Sequence, residues 1–172
     1  EPLEEFDFEA FNEQKYEGAV RQKNRAEDIS RVLYPNDSNF AGKLLRLKQQ
    51  YFLCSASLQD ILRNFKKNHG NDLEFFADYV TIQLNDTHPV ISIPELIRLL
   101  MIEGLTFDAA LKISKKVFNY TNHTIMQEAL EKWDLSLVRA VAPECAKLIR
   151  RLARVQETEL RTRGVPEEQW SE

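Results

Sequence analysis

The sequence predicts a mainly α-helical chain with one or two short strands. Apolar residues recur every three or four positions along most of its length, which is the spacing of an amphipathic helix. The run Val80-Thr-Ile-Gln-Leu84 is instead apolar and β-branched, and it has the length of a short strand buried on both faces. Ser92 and Glu95 then have the spacing of a capping box, with Pro94 in the first turn. We therefore expect a strand, a polar turn and a helix between residues 80 and 95.

The other helices are predicted from the same periodicity. The segment 12–29 is highly charged and thinly apolar, so we expect it to project from the body, to contact another subunit or to lie on the solvated surface. The best-defined helix has apolar positions throughout 44–65, and Gly70 is placed to end it. Further helices are expected at 94–104, 108–118, 124–133, 136–142 and 144–163.

Composition limits the classes of partner. The chain has 172 residues and a net charge of −4, with charges of both signs interleaved, so the sequence shows no basic stripe for nucleic acid. No apolar run approaches the roughly 20 residues of a membrane span, and the acidic start does not resemble a secretory signal. Two distant cysteines do not form a disulfide framework. We expect a cytoplasmic protein without a membrane or nucleic-acid partner.

A polar loop precedes the longest helix. Between Pro35 and Gly42 it contains Asn36, Asp37 and Ser38, which are residues typical of turns. An Asx-rich cap of the following helix is the simpler interpretation. The alternative is a mobile gate that carries Asp37 and Ser38 toward a ligand.

Polar residues also follow the predicted strand. Asp86 and His88 come directly after it, and α/β proteins place ligand sites beyond the carboxyl ends of strands. A second polar cluster contains His123 and Thr124, just before a predicted helix amino terminus. Short polar side chains of this kind suit hydrogen bonding to sugar hydroxyls. A metal held by Asp86, His88 and His123 is the alternative, although no HExxH pair or cysteine cluster accompanies them.

Four stretches of the sequence carry a family resemblance. They are Glu27-Asp-Ile-Ser-Arg-Val-Leu-Tyr-Pro-Asn-Asp37; Gly42-Lys-x-x-Arg-Leu-Lys-Gln-Gln-Tyr-Phe52; Ile82-Gln-Leu-Asn-Asp-Thr-His-Pro89 with Ile93-Pro-Glu-Leu96; and Tyr120-Thr-Asn-His-Thr124 with Glu128-Ala-Leu-Glu-x-Trp133. In order and at similar spacing, they resemble the α-glucan phosphorylases of glycogen, starch and maltodextrin. The resemblance extends over about 6–149.

The resemblance implies a fold and an activity. It implies a piece of a doubly wound, two-domain α/β glycosyltransferase (GT-B-like) that uses pyridoxal phosphate. Such an enzyme cleaves terminal glucosyl units from α-1,4-glucan with inorganic phosphate, and releases glucose 1-phosphate. We expect 1–172 to be a single segment of the N-terminal domain, without the C-terminal cofactor domain and its lysine, and inactive alone. The parent protein is expected to be a homodimer. The alternative is a non-catalytic helical module that binds glucan or another subunit.

The resemblance also implies the site residues. His123, Asp86 and His88 would line the catalytic pocket beside the glucosyl unit. The loop before the long helix would gate the cleft, and Ser38 stands where the family commonly has Asn. The expected substrate-binding residues are Asn36, Asp37, Ser38, Arg46, Thr124, Glu128 and Glu131.

Overall fold

The computed structural model of this chain describes residues 6–126 and 130–170. Its helices are α1 (Phe8–Asn12), α2 (Tyr16–Ala19), α3 (Arg21–Arg31), α4 (Phe40–His69), α5 (Phe76–Tyr79), α6 (Ser92–Ile102), α7 (Phe107–Val117), α8 (Leu135–Val141) and α9 (Pro143–Thr162). The strands are β1 (Ile82–Asn85) and β2 (Phe118–Thr121), and short 3-10 turns occupy Leu73–Phe75 and Glu167–Gln169. The prediction of a mainly helical chain with short strands is confirmed.

The chain divides into two compact units, within Glu1–Phe52 and within Leu53–Glu172. The boundary falls inside α4. In the part of the chain that the structure describes, every helix is too short or too polar to cross a membrane.

The N-terminal unit contains α1 to α3 in place of the one helix predicted at 12–29. That prediction was wrong in its bounds because the backbone turns at Gln14, whose φ is 64°. Asp7 caps α1 by accepting a hydrogen bond from the Ala10 amide at 2.9 Å. None of the residues of α3 is buried, so the expected thin apolar face is confirmed.

The loop before α4 forms the expected Asx cap. Asn39 Oδ1 accepts a hydrogen bond from the Gly42 amide at 2.9 Å, and Asn36 Oδ1 accepts one from the Ser38 amide at 2.8 Å. A Cβ atom at Gly42 would lie 1.8 Å from the Asn36 carbonyl oxygen. Because no side chain fits in that space, glycine at position 42 lets the loop lie directly against the first turn of α4.

The C-terminal unit holds the main hydrophobic core. Its buried side chains come from α4, the 3-10 turn after it, and α5, α6, α7 and α9: Leu58, Leu62, Phe65, Leu73, Phe76, Leu96, Ile97, Leu99, Leu100, Phe107, Ala110, Ile113, Val117 and Leu148. The turn and α5 were not predicted from the sequence. Asp72 starts this turn by accepting a hydrogen bond from the Glu74 amide at 3.1 Å.

The two strands form a parallel pair in which Ile82 lies opposite Phe118 and Asn85 lies opposite Thr121. The prediction that β1 is buried on both faces was wrong. Leu84 is buried and Ile82 is half-buried, whereas the alternate residues are exposed. A two-stranded sheet with one face on the core produces this alternation.

The prediction of a helix at 124–133 was also wrong for those of its residues that the structure describes. Three of them, Gln127, Glu128 and Ala129, lie outside the described residues. Residues 122–126 and 130–133 are not helical. Thr124 Oγ1 accepts a hydrogen bond from the Met126 amide at 3.1 Å, and Asn122 Oδ1 accepts one from the Thr124 amide at 3.2 Å. Such local side-chain bonds compete with a helix for the backbone groups.

The capping box predicted at the start of α6 was wrong as well. Ser92 is itself the first residue of the helix and is buried. Glu95 is completely buried, and its carboxylate accepts hydrogen bonds from Ser55 at 2.6 Å, from two Arg98 nitrogens at 2.7 Å and from Cys145 at 3.3 Å. Burial together with this carboxylate raises the pKa of Cys145 to about 12. Glu95 thus joins α6 to α4 and α9.

Candidate functional site

The parallel pairing brings the two predicted polar clusters to one edge of the sheet. Asn85 and Thr121 are the last paired residues, and the Asp86 amide donates a hydrogen bond to the Thr121 carbonyl at 2.9 Å. Since the strands run in the same direction, residues 85–88 and 121–124 both emerge at their carboxyl ends. We call this group of residues the strand-end cluster.

Each histidine of the strand-end cluster has a polar partner. His88 Nδ1 lies 2.9 Å from Glu131 Oε2. His123 Nε2 is hydrogen-bonded to the side-chain oxygen of Asn85. Sequence reasoning placed Glu131 against the substrate and did not single out Asn85. That reasoning did not predict the parallel pairing of the two strands. The register of this pairing brings Asn85 next to the second polar cluster, which contains His123.

Asp86 occupies a restricted backbone position. Its φ is 66°, in the left-handed region that Asp tolerates better than most residues. Its Oδ1 accepts a hydrogen bond from the Thr87 amide at 2.8 Å. The side chain therefore helps to form the turn that carries His88, and its proposed part in catalysis stays a prediction. Thr124 is half-buried, and its carbonyl accepts a hydrogen bond from Asn122 at 2.6 Å.

A second group of predicted site residues belongs to the N-terminal unit. Arg46 Nη1 lies 3.5 Å from Asp37 Oδ2, and the Arg46 guanidinium carbon lies 5.1 Å from the centre of the Tyr34 ring. Asn36 and Ser38 are joined by the turn hydrogen bond already described. Glu128, the remaining predicted site residue, lies outside the described residues.

Metal binding receives no support from the geometry. Across residues 6–126 and 130–170, no three His, Cys, Asp or Glu side chains are grouped so that they could hold a metal ion. The arrangement is suited instead to hydrogen bonding. A neutral His88 that donates Nδ1–H to Glu131, and a neutral His123 that donates Nε2–H to the Asn85 oxygen, are the tautomers that match these contacts.

Two imidazoles, an amide and a carboxylate lie near the carboxyl ends of two parallel strands, and such groups can form hydrogen bonds with a polar, hydroxyl-bearing ligand. The sequence model of the carbohydrate phosphorylase family matches residues 1–171. The chain belongs to that family.

Individual relatives agree with the family match. The chain is similar to glycogen phosphorylase of Saccharomyces cerevisiae, at 54% identity over 86% of this chain and 16% of the relative. It is similar to the H isozyme of alpha-glucan phosphorylase of Triticum aestivum, at 48% identity over 85% of this chain and 18% of the relative. The liver form of glycogen phosphorylase of Homo sapiens is 48% identical over 84% of this chain and 18% of the relative. The chain thus spans less than a fifth of the length of these relatives.

Proposed function

We propose that this chain is part of an α-1,4-glucan phosphorylase, an enzyme that transfers a terminal glucosyl unit to inorganic phosphate and forms glucose 1-phosphate. Membership of the carbohydrate phosphorylase family carries this proposal. The strand-end cluster supports it, because its side chains suit the hydroxyl groups of a sugar.

Within that proposal, the strand-end cluster forms one wall of the glucosyl site. His123, oriented by Asn85, accepts a hydrogen bond from a glucosyl hydroxyl through Nδ1. His88, oriented by Glu131, lines the same wall. Asp86 holds the turn between the strand and His88. Side chains oriented in this way position the sugar when it binds.

The loop before α4 supplies further sugar contacts in this proposal. Asn36, Asp37 and Ser38 are half-buried or exposed, and Arg46 lies beside Asp37. Thr124, Glu128 and Glu131 are proposed to complete the substrate-binding set, with Glu131 acting through His88.

We propose that no lysine of this chain carries the pyridoxal phosphate that the family resemblance implies. A lysine that carries this cofactor is held in a desolvated pocket. Every lysine of this chain is exposed or half-buried, and each of them lies among the described residues. We therefore propose that the cofactor is bound by another part of the enzyme, and that this chain is a segment of its N-terminal domain.

We further propose that the parent enzyme is a cytoplasmic homodimer. The aromatic side chains of Phe6, Phe8, Phe11 and Tyr16 are substantially exposed in the N-terminal unit, and α3 has no buried residue. Exposed aromatic groups beside a charged helix are typical of a subunit contact.

The isolated chain should release no glucose 1-phosphate from maltodextrin and inorganic phosphate, even with pyridoxal phosphate added. The reason is that it provides one wall of the sugar site and no cofactor lysine. An enzyme-coupled assay of glucose 1-phosphate measures this directly. Sustained turnover would refute the proposal, whereas glucan co-sedimentation that is lost in His123→Ala would favour a non-catalytic glucan-binding module.

A further inference from the structure

Four basic side chains lie on one face of α9, at positions i, i+3, i+4 and i+7. These are Lys147, Arg150, Arg151 and Arg154, and we call them the basic face. They line an open depression of about 640 Å³, together with Val155, Thr158 and Glu159. No acidic residue lies between Lys147 and Arg154 in the sequence. The helix gathers the four positive charges on one side.

Two of the three carboxylates of α9 are already engaged, and the third, Glu157, is exposed. Glu159 accepts a hydrogen bond from Lys115 at 2.7 Å, and Glu144 accepts one from Lys147 at 2.6 Å. Within residues 6–126 and 130–170, the three arginines of the basic face form no ion pair. Their positive charges therefore add up in the depression, although the whole chain carries a net charge of −4.

One arginine of the basic face is held in place. The Arg151 guanidinium carbon lies 3.6 Å from the centre of the buried Phe107 ring. Stacking uses the flat face of the guanidinium and leaves its in-plane N–H groups able to donate. Such N–H groups match the spacing of phosphate oxygens, and Arg150 and Arg154 stand one turn apart to bind further oxygens.

We propose that the basic face binds a small polyvalent phosphate anion. Three arginines that form no ion pair within the described residues lie around one open depression, and this favours a ligand with several negative charges over a single phosphate. The site is distinct from the strand-end cluster, and the proposal does not rest on the proposed function.

The test is calorimetric titration of the full chain with tripolyphosphate at low ionic strength. We expect one saturable site whose affinity falls as salt is added. The double variant Arg150→Gln/Arg154→Gln should weaken binding by at least about tenfold, because it removes two charge-assisted contacts. The matched control is Arg63→Gln/Lys67→Gln on α4, which makes the same charge change at the same spacing on exposed residues and should bind as the wild type does.

Three results would overturn the proposal: no saturable binding by the wild type, an equal loss of affinity in the control variant, or equally tight binding of inorganic monophosphate. If the double variant does not fold, a measurement on the wild type still tests the site. Tripolyphosphate should shift the Nε–H resonances of Arg150, Arg151 and Arg154, and shifts confined to other arginines would contradict the site.

Discussion

Replacement of Phe76 by alanine should lower the free energy of unfolding by about 3–5 kcal/mol. Phe76 is completely buried in the core of the C-terminal unit, where its ring packs edge-on against Phe65 with 5.1 Å between ring centres. Truncation removes this apolar contact and leaves a cavity that the neighbouring helices fill only in part.

The adjacent residue provides the control. Phe75 is 54% exposed, so Phe75→Ala should change the free energy of unfolding by no more than about 0.5 kcal/mol. Urea unfolding followed by circular dichroism measures both variants. An equal loss in the free energy of unfolding of the two variants would contradict the placement of Phe76 in the core.

Replacement of Glu95 by alanine should cost a similar amount, about 3–5 kcal/mol. The completely buried carboxylate is the shared acceptor for Ser55, Arg98 and Cys145. Its removal takes this acceptor away from the Ser55 hydroxyl and from the guanidinium of Arg98, whose side chain is 24% exposed. Because these partners come from α4, α6 and α9, the packing of three helices is weakened together.

The control for Glu95 is an exposed ion pair at the end of α6. Glu103 accepts hydrogen bonds from Lys66 at 2.8 Å through both carboxylate oxygens, and both side chains are 32% exposed. Glu103→Gln should therefore cost about 0.2–1 kcal/mol. Urea unfolding at neutral pH compares the two, and a loss at Glu103 as large as that at Glu95 would contradict the central place of the buried carboxylate.

The Glu95 carboxylate should also make stability depend on pH. Burial alone would raise the pKa of Glu95, but hydrogen bonds from Arg98 and Ser55, with the charge of Arg98, hold it below the ordinary value of 4.5. The folded state therefore binds fewer protons than the unfolded state near that pH. The contribution of Glu95 is complete above the ordinary pKa, and it is lost as the pH falls through the lowered pKa of the folded state. Between about pH 6 and about pH 3, the wild type should lose more stability than Glu95→Gln does.

The sequence predicted the elements whose signal is local. The apolar period of α4 and the glycine after it identified the longest helix, and Gly70 has the left-handed φ of 85° expected there. The turn-forming residues between Pro35 and Gly42, Asn36 among them, predicted the cap before α4. In these cases the residues that carry the pattern also make the contacts that form the element.

The sequence failed where distant contacts decide the structure. Ser92 and Glu95 have capping-box spacing, yet Glu95 points into the core. There it bonds with Ser55 and Cys145, which lie 40 and 50 positions away in the chain. The strand β2 contains the strand-favouring residues Phe118, Tyr120 and Thr121, but it follows directly on α7, and its pairing with β1 places it in the sheet. The candidate site shows the same division. Asp86 and His88 were found from the strand before them, whereas the partnership of Asn85 with His123 depends on a register that no local pattern specifies.

The proposal that the strand-end cluster binds the glucosyl unit is tested most directly in a chimera. This chain would replace the matching segment of Saccharomyces cerevisiae glycogen phosphorylase, with which it shares 54% identity. We expect the chimera to form glucose 1-phosphate. His123→Ala should lower its kcat/KM by about 100-fold, the loss that removal of one transition-state hydrogen bond can cause.

The matched control in that chimera is His69→Ala, because His69 is exposed and stacks on Tyr79 in the C-terminal unit with 3.9 Å between ring centres. This variant should retain the kcat/KM of the unmodified chimera. A folded, active chimera in which His123→Ala is as active as His69→Ala would contradict the assignment of the glucosyl site to the strand-end cluster.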